Sequence, residues 1–367
     1  MTERSGAVRR ATPTILVVTA AICFGTTGTA QALGGQGASA LSLGAARIVF
    51  GGGLLAVVAL IALLVGRATV RRVPDESGAE ERVPDDRGSI LGSGTPTLTR
   101  GPRSRRSRTR WLAPAALVAV GAVGVAGYQP AFFTGTSQNG VAVGTLVALG
   151  SAPVLTGLLE WLVRRKAPGL RWAIATAVAA LGVCALSGVF AGSATATAAS
   201  APVSSATSAG TSVITPLGIA ASLVAGLCYA VYALSSKALL DRRWSPTAAM
   251  GATFGGAAVV MTPVLLATDL QWLATPAGAL TAGWLAIVTT TLAYTLFARG
   301  LRRLRASRTA TLTLVEPLTA TVLGVVVLHE QFTASIVIGL GLLVAGLAIL
   351  TVSWPRRRPA IAAGAGS

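Results

Sequence analysis

Glu316 and Pro317 stand side by side inside an apolar run, and a segment that only has to sit in lipid needs neither. The stretch from Ala306 to Trp354 holds two long apolar runs around a polar break, His329-Glu330-Gln331-Phe332. Each run is long enough to cross ~30 Å of hydrocarbon at ~1.5 Å per residue. The same rise puts Glu316 ~15 Å past the basic entrance of the first run, near the middle of the span. An ionised carboxylate is costly there, so it must take up a proton or find a partner. Pro317 lacks a backbone donor; it frees a carbonyl one turn earlier and kinks the helix. The chemistry this pair suggests is binding of a proton or a substrate amine in a central cavity. The plainer alternative is a protonated Glu bonded to a neighbouring helix.

A second intramembrane charge, Arg47, falls in the outer half of the second apolar segment. It is suited to pairing with a carboxylate of the substrate or the protein, or to snorkelling and bonding helix-end carbonyls. Tyr128, Gln129, Tyr229, Tyr232 and Tyr294 are polar-tipped groups on apolar segments, and Phe24 and Thr27 are weaker candidates of the same kind. An apolar wall with a few polar groups fixes a ligand, whereas the same residues also serve as interfacial anchors or helix–helix hydrogen bonds. Glu160 precedes Arg164 by one turn, and an i to i+4 ion pair accounts for it. Gly140-Gly144 and Gly251-Gly255 point to close helix packing.

Several chemistries are excluded. His329-Glu330 resembles the start of a HExxH zinc motif, but the fifth position is Thr333 and the chain has one His. Cys23, Cys184 and Cys228 lie in apolar runs without metal spacing or a CxxC partner, which reads as buried thiols. No GxxxxGK[ST] and no GxSxG occur. No enzyme activity, cofactor or metal is expected.

These side chains must be positioned by membrane helices. The chain has 367 residues, of which 53% are hydrophobic and only 11% charged, with a mean hydropathy of +0.69. A soluble domain carries about twice that charge. The net charge of +18 is parcelled into short runs between apolar segments. The densest, Arg103 to Arg110, lacks interleaved aromatics and reads as a solvated cytoplasmic face rather than a nucleic-acid surface. Ten apolar segments follow one another: about 14–33, 39–66, 111–133, 139–163 and 170–190, then 216–240, 246–266, 277–299 and the two opening runs. Residues 1–13 form a polar tail and 355–367 another. Residues 67–110 hold half of the 12 acidic residues and are too polar to bury themselves, while 191–215 is an Ala/Ser/Thr/Gly linker.

A shift of 164 lays residues 145–184 on 309–348 without a gap, matching Pro153 to Pro317 and Gly182 to Gly346. A shift of 205 aligns Cys23-Phe24 with Cys228-Tyr229, so the first segment has a counterpart and is not read as a cleaved signal peptide. With the N-terminus inside, 29 of the 30 Lys and Arg fall on the inner side, Arg47 being the exception. Five segments per copy is an odd number, so the copies must lie upside down relative to each other. Inverted repeats with interrupted helices at their interface are the architecture of secondary transporters.

The chain resembles the EamA group of the drug/metabolite transporter superfamily. The resemblance rests on Ala306-Ser307-Arg308 leading to Val315-Glu316-Pro317, on Leu328 to Thr333, on Gly226 to Tyr232, and on Thr291-Leu292-Ala293-Tyr294 with Arg299-Gly300-Leu301. It covers roughly 14–187 and 216–354. It implies an all-α polytopic membrane protein with ten transmembrane helices in two inverted five-helix repeats, 14–190 and 216–354, and cytoplasmic termini. It also implies export of a small metabolite such as an amino acid across a bacterial inner membrane, a multidrug exporter of the same fold being the alternative. The expected partners are the lipid bilayer and a small-molecule substrate, with a homodimer left open and no nucleic acid. Pro153 and Pro317 are the expected helix breaks about which two halves rock. The chain departs from the pattern in Arg164-Arg165-Lys166, where Gly-Glu is common, and in its long loops at 67–110 and 191–213.

Overall fold

The computed structural model describes residues 2–70, 113–165, 167–186, 215–329 and 334–351. The expected loop within 67–110, the 191–215 linker, the 330–333 part of the polar break and the C-terminal tail lie outside these residues or nearly so.

The described residues form an all-helical bundle: α1 (Thr2–Gly34), α2 (Ala40–Val65), α3 (Pro114–Gly140), α4 (Val143–Arg164), α5 (Leu170–Leu186), α6 (Pro216–Asp241), α7 (Pro246–Leu266), α8 (Pro276–Leu301), α9 (Ala306–Val327) and α10 (Ala334–Thr351). Nine of them are long and apolar enough to cross a membrane, and the described part of α5 is shorter, with 17 residues. The chain is a polytopic membrane protein. Its outer surface carries the lipid-facing signature of exposed large apolar side chains, such as Leu60, Val259 and Leu280.

Local sequence sets several helix starts. Thr215, Ser245 and Thr275 each cap a helix by accepting the N–H three residues on, and each is followed by Pro at the first helical position. A capping hydroxyl satisfies one orphan donor, and Pro has no donor to orphan.

The interior of the bundle differs from the sequence reading in four places. Residues 134–138, expected as a loop, are helical, and α3 ends instead at Gly140, whose φ of 77° and ψ of 157° break the path into α4. A residue without Cβ adopts that conformation readily, so Gly140 makes a joint rather than a packing contact, and a Cβ there would meet nothing within 4 Å. Gly251 does pack closely, with Ala59 Cβ 2.4 Å from its would-be Cβ, as expected of that pair. The polar N-terminal stretch is helical from Thr2. Pro153 leaves α4 unbroken, whereas α9 breaks beside Pro317, its helical segments being Ala306–Leu312 and Val315–Val327. Pro317 cannot donate to Thr313 O, and the N–H of Glu316 takes that carbonyl at 2.9 Å instead.

Two π-helical turns also interrupt the bundle, Arg47–Gly51 in α2 and Ile287–Leu292 in α8. They abut: Thr291 Oγ1 donates to Gly51 O at 3.3 Å, and Gly51 packs on the Thr290 side chain. Helix packing follows an exchange rule. α1 lies against α8 and α9, as α6 lies against α3 and α4; α2 pairs with α7, and α5 with α10. Adding five to each label returns the same set of pairs. Gly182 lets α5 approach α10 so closely that a Cβ would stand 2.7 Å from Leu343 N.

Candidate functional site

The broken α9 helix turns Glu316 towards a cavity at the centre of the bundle. The cavity has two compartments holding about 750 and 730 Å³ of non-atom space, open mouths included. The enclosed space is far smaller, about 70 and 90 Å³, below the ~300–1,000 Å³ usual for small-molecule sites, so a ligand must widen it. Phe24, Arg47, Tyr128, Gln129, Leu149, Glu316 and Pro317 line both. The deeper one adds Pro153, Tyr229, Tyr232, Tyr294 and Thr313. The shallower one adds Thr27, Gln31, Phe132, Phe133 and Thr145, and it reaches towards the end where α1 joins α2. The structure thus brings every ligand-binding candidate named from the sequence, with Pro153 and Pro317, to one cavity, from seven segments of the chain. The chain has four tyrosines, and all four line the deeper compartment.

Glu316 makes no side-chain hydrogen bond or ion pair among the described residues. Arg47 is held in place. Its Nε donates to Thr290 Oγ1 at 3.4 Å and Nη2 to Thr289 O at 3.3 Å, and its guanidinium lies 5.9 Å from the Phe24 ring centre. A π-turn leaves carbonyls poorly matched to N–H donors, and Arg47 answers one of them. Arg47 therefore braces α2 on α8 while facing the cavity, and it forms no ion pair among the described residues.

Aromatic contacts fix the floor. Tyr294 packs on Phe24 at 4.8 Å and on Phe254 at 4.0 Å, and Tyr229 packs edge-on to Tyr232 at 5.0 Å. Tyr229 OH and Thr313 Oγ1 lie 3.0 Å apart, tying α6 to the break in α9. Gln129 Nε2 donates to Gly44 O at 3.4 Å. Thr27 Oγ1 and Thr145 Oγ1 are buried without a hydrogen-bond partner among the described residues, and Thr145 and Gln31 were missed from sequence because nothing local distinguishes them from packing residues.

The opposite end of the bundle is closed by charge, and here the i to i+4 pair read for Glu160 is present but is the longest of its contacts. Arg164 Nε is 3.9 Å from Glu160, but Glu160 is fully buried and its oxygens are taken by α9: Arg305 Nε donates at 3.1 Å and Ser307 N at 2.9 Å. Arg164 pairs with Asp241, which also binds Lys237 at 3.2 Å, and Lys237 Nζ donates to Leu301 O and Arg302 O.

The EamA-like transporter family model matches residues 216–352. An uncharacterized Bacillus subtilis (strain 168) transporter, YwfM, is 33% identical over 349 residues, covering 95% of this chain and 97% of its own. A solved crystal structure of another protein, 17% identical, superposes with a TM-score of 0.63 over 93% of this chain and 98% of the other, which speaks to the fold alone. The chain belongs to the EamA-like family and is a membrane transporter of the drug/metabolite type.

Proposed function

We propose that the chain is a secondary active transporter that exports a small amphipathic metabolite across a bacterial inner membrane by alternating access, with Glu316 binding a proton or a substrate amine. The observation that carries this reading is Glu316 itself, a carboxylate without a protein partner among the described residues in a cavity walled by four tyrosines. A charge left unpaired at membrane depth is costly unless it serves a ligand or ion. Arg47 offers its remaining donors to a substrate carboxylate, so a zwitterion such as an amino acid fits between the two. The exchange rule of helix packing supports two inverted repeats, 14–190 and 216–354, with the cavity on their interface. The Glu160–Ser307 and Arg164–Asp241 contacts join α4 to α9 and α6, so they must part for the cavity to open at the charged end. Pro317, beside the break in α9, forms the proposed hinge, and Pro153 stands at the matching point of the other half in an unbroken helix.

The test is transport in proteoliposomes under an imposed pH gradient. Glu316→Gln abolishes pH-driven flux while insertion and thermal stability stay intact; wild-type flux in that variant removes Glu316 from the mechanism. The multidrug reading also has an observation in its favour, because aromatic side chains that are sparse in the chain concentrate on the cavity wall. A panel of aromatic cations and amino acids in the same assay separates the two readings.

A further inference from the structure

A second concavity lies at the charged end of the bundle, away from the central cavity. It is lined by Arg299, Arg302 and Arg303 at the end of α8, Thr12, Pro13 and Leu16 on α1, and Pro246 and Thr247 at the start of α7. Three guanidiniums face one groove with no acid among its lining residues. None of the three makes a side-chain hydrogen bond or ion pair among the described residues, in contrast to Arg164 and Arg305 at the same end. The first turn of α7 adds the positive end of a 21-residue helix. Pro13, buried, and Leu16, half-buried, give the groove an apolar floor within an otherwise largely polar lining.

We infer that this groove binds the phosphate of an anionic phospholipid headgroup, with Arg299, Arg302 and Arg303 on the phosphate oxygens and the apolar floor under the glycerol and first acyl carbons. The arginines sit where a hydrophobic helix surface ends, which is headgroup depth. A basic pocket between membrane helices at the lysine- and arginine-rich end is built for such a headgroup. Arginine forks match two phosphate oxygens at once. The apolar floor favours a lipid over a soluble phosphate, which would leave that floor wet.

The experiment uses the full chain in detergent, titrated with phosphatidylglycerol, phosphatidylcholine or inorganic phosphate, and follows thermal unfolding and the lipid retained in native mass spectra. Phosphatidylglycerol alone should raise the unfolding midpoint and be retained. Arg302→Gln with Arg303→Gln should weaken its apparent affinity about 30-fold, at roughly fivefold per arginine near the surface. Arg165→Gln with Arg171→Gln, which removes equal charge from α4 and α5, should leave it unchanged. The inference is overturned if the two double variants lose affinity equally, because charge alone then explains the binding. It is also overturned if phosphatidylcholine is equally effective, or if inorganic phosphate reproduces the shift, which would make the groove a site for soluble anions. Should the double Gln variant fail to fold, Arg302→Lys with Arg303→Lys keeps the charge and loses the fork, and an affinity equal to wild type would refute the geometry.

Discussion

Glu160 on α4 accepts the backbone N–H of Ser307, in the first turn of α9, at 2.9 Å. A buried carboxylate from one helix thereby caps another that begins far along the chain. It satisfies a donor that the helix start leaves orphaned, and it faces the positive end of the helix dipole. The side chain of Arg305 immediately before that turn is 44% exposed, so its bond to the same carboxylate is partly screened by water. Most of the stabilisation must come from the cap.

Replacing Glu160 should therefore destabilise the bundle through the cap. Glu160→Ala should cost about 1–3 kcal/mol, the range for a buried donor left without an acceptor. Glu160→Gln keeps an acceptor for Ser307 and should lose roughly half of that. Thermal unfolding of the purified protein measures both. A wild-type midpoint for Glu160→Ala would mean that the cap carries no weight.

Arg47 should resist its nominally conservative replacement. The guanidinium reaches Thr290 Oγ1 and Thr289 O from two nitrogens while lying over Phe24, and a lysine ammonium cannot make both bonds from that position. Arg47→Lys should lower flux about tenfold, equivalent to the ~1.4 kcal/mol of one charged hydrogen bond. Thr290→Val removes the longer of the two Arg47 bonds, together with the bond from Thr290 Oγ1 to Leu285 O at 2.8 Å, and should lower flux less. Wild-type flux in Arg47→Lys would place the role of Arg47 in its charge and not in its fork.

The rings of the cavity should matter separately from their hydroxyls. Tyr294 contacts Phe24, Phe254 and Tyr232 through its ring. Tyr294→Phe should keep the stability of the bundle, whereas Tyr294→Leu should lose about 0.5–1.5 kcal/mol per ring pair beyond buried area. Unfolding midpoints give the stability; apparent substrate affinity in the two variants then shows whether the phenol or the ring meets the ligand.

How far the sequence foretold this arrangement depended on the kind of signal. Glu316 and Arg47 stood out because charge inside an apolar run breaks a rule that holds along a single helix. The tyrosines were legible as a group because a lipid-facing surface has no need of a buried hydroxyl. The helices followed from hydropathy, and the starts read at Pro216 and Pro246 are those that Thr215 and Ser245 cap. The two π-turns were not legible, since neither RIVFG nor IVTTTL differs in composition from a regular helix. The joint at Gly140 was misplaced because Gly135-Thr136-Ser137 looks more like a loop than Asn139-Gly140 does. Glu160 was read only in part, for a general reason. A periodic pattern exposes the partner one turn away, Arg164, and hides the one on another helix, Ser307, which only the tertiary fold supplies.

The closest approach near Glu316 is the most direct test of the site's geometry. A Cβ on Gly25 of α1 would stand 2.6 Å from Thr319 Cβ and 2.8 Å from Glu316 O on α9. Neither atom is the free end of a flexible side chain, so Gly25→Ala must push the two helices apart at the carboxylate. Overpacking of this kind costs about 1–3 kcal/mol, against the ~1 kcal/mol that Ala gains over Gly inside a helix. Gly53→Ala is the control, because a Cβ there meets nothing within 4 Å. Gly53→Ala should hold or raise the unfolding midpoint, whereas Gly25→Ala should lower both the midpoint and the flux. The flux should suffer more, since a displaced α9 moves Glu316 relative to Arg47 and the tyrosines before it unfolds anything. Matching midpoints for the two variants would mean that α1 and α9 do not meet at Gly25, and the cavity would then lack the wall that holds Glu316 in place.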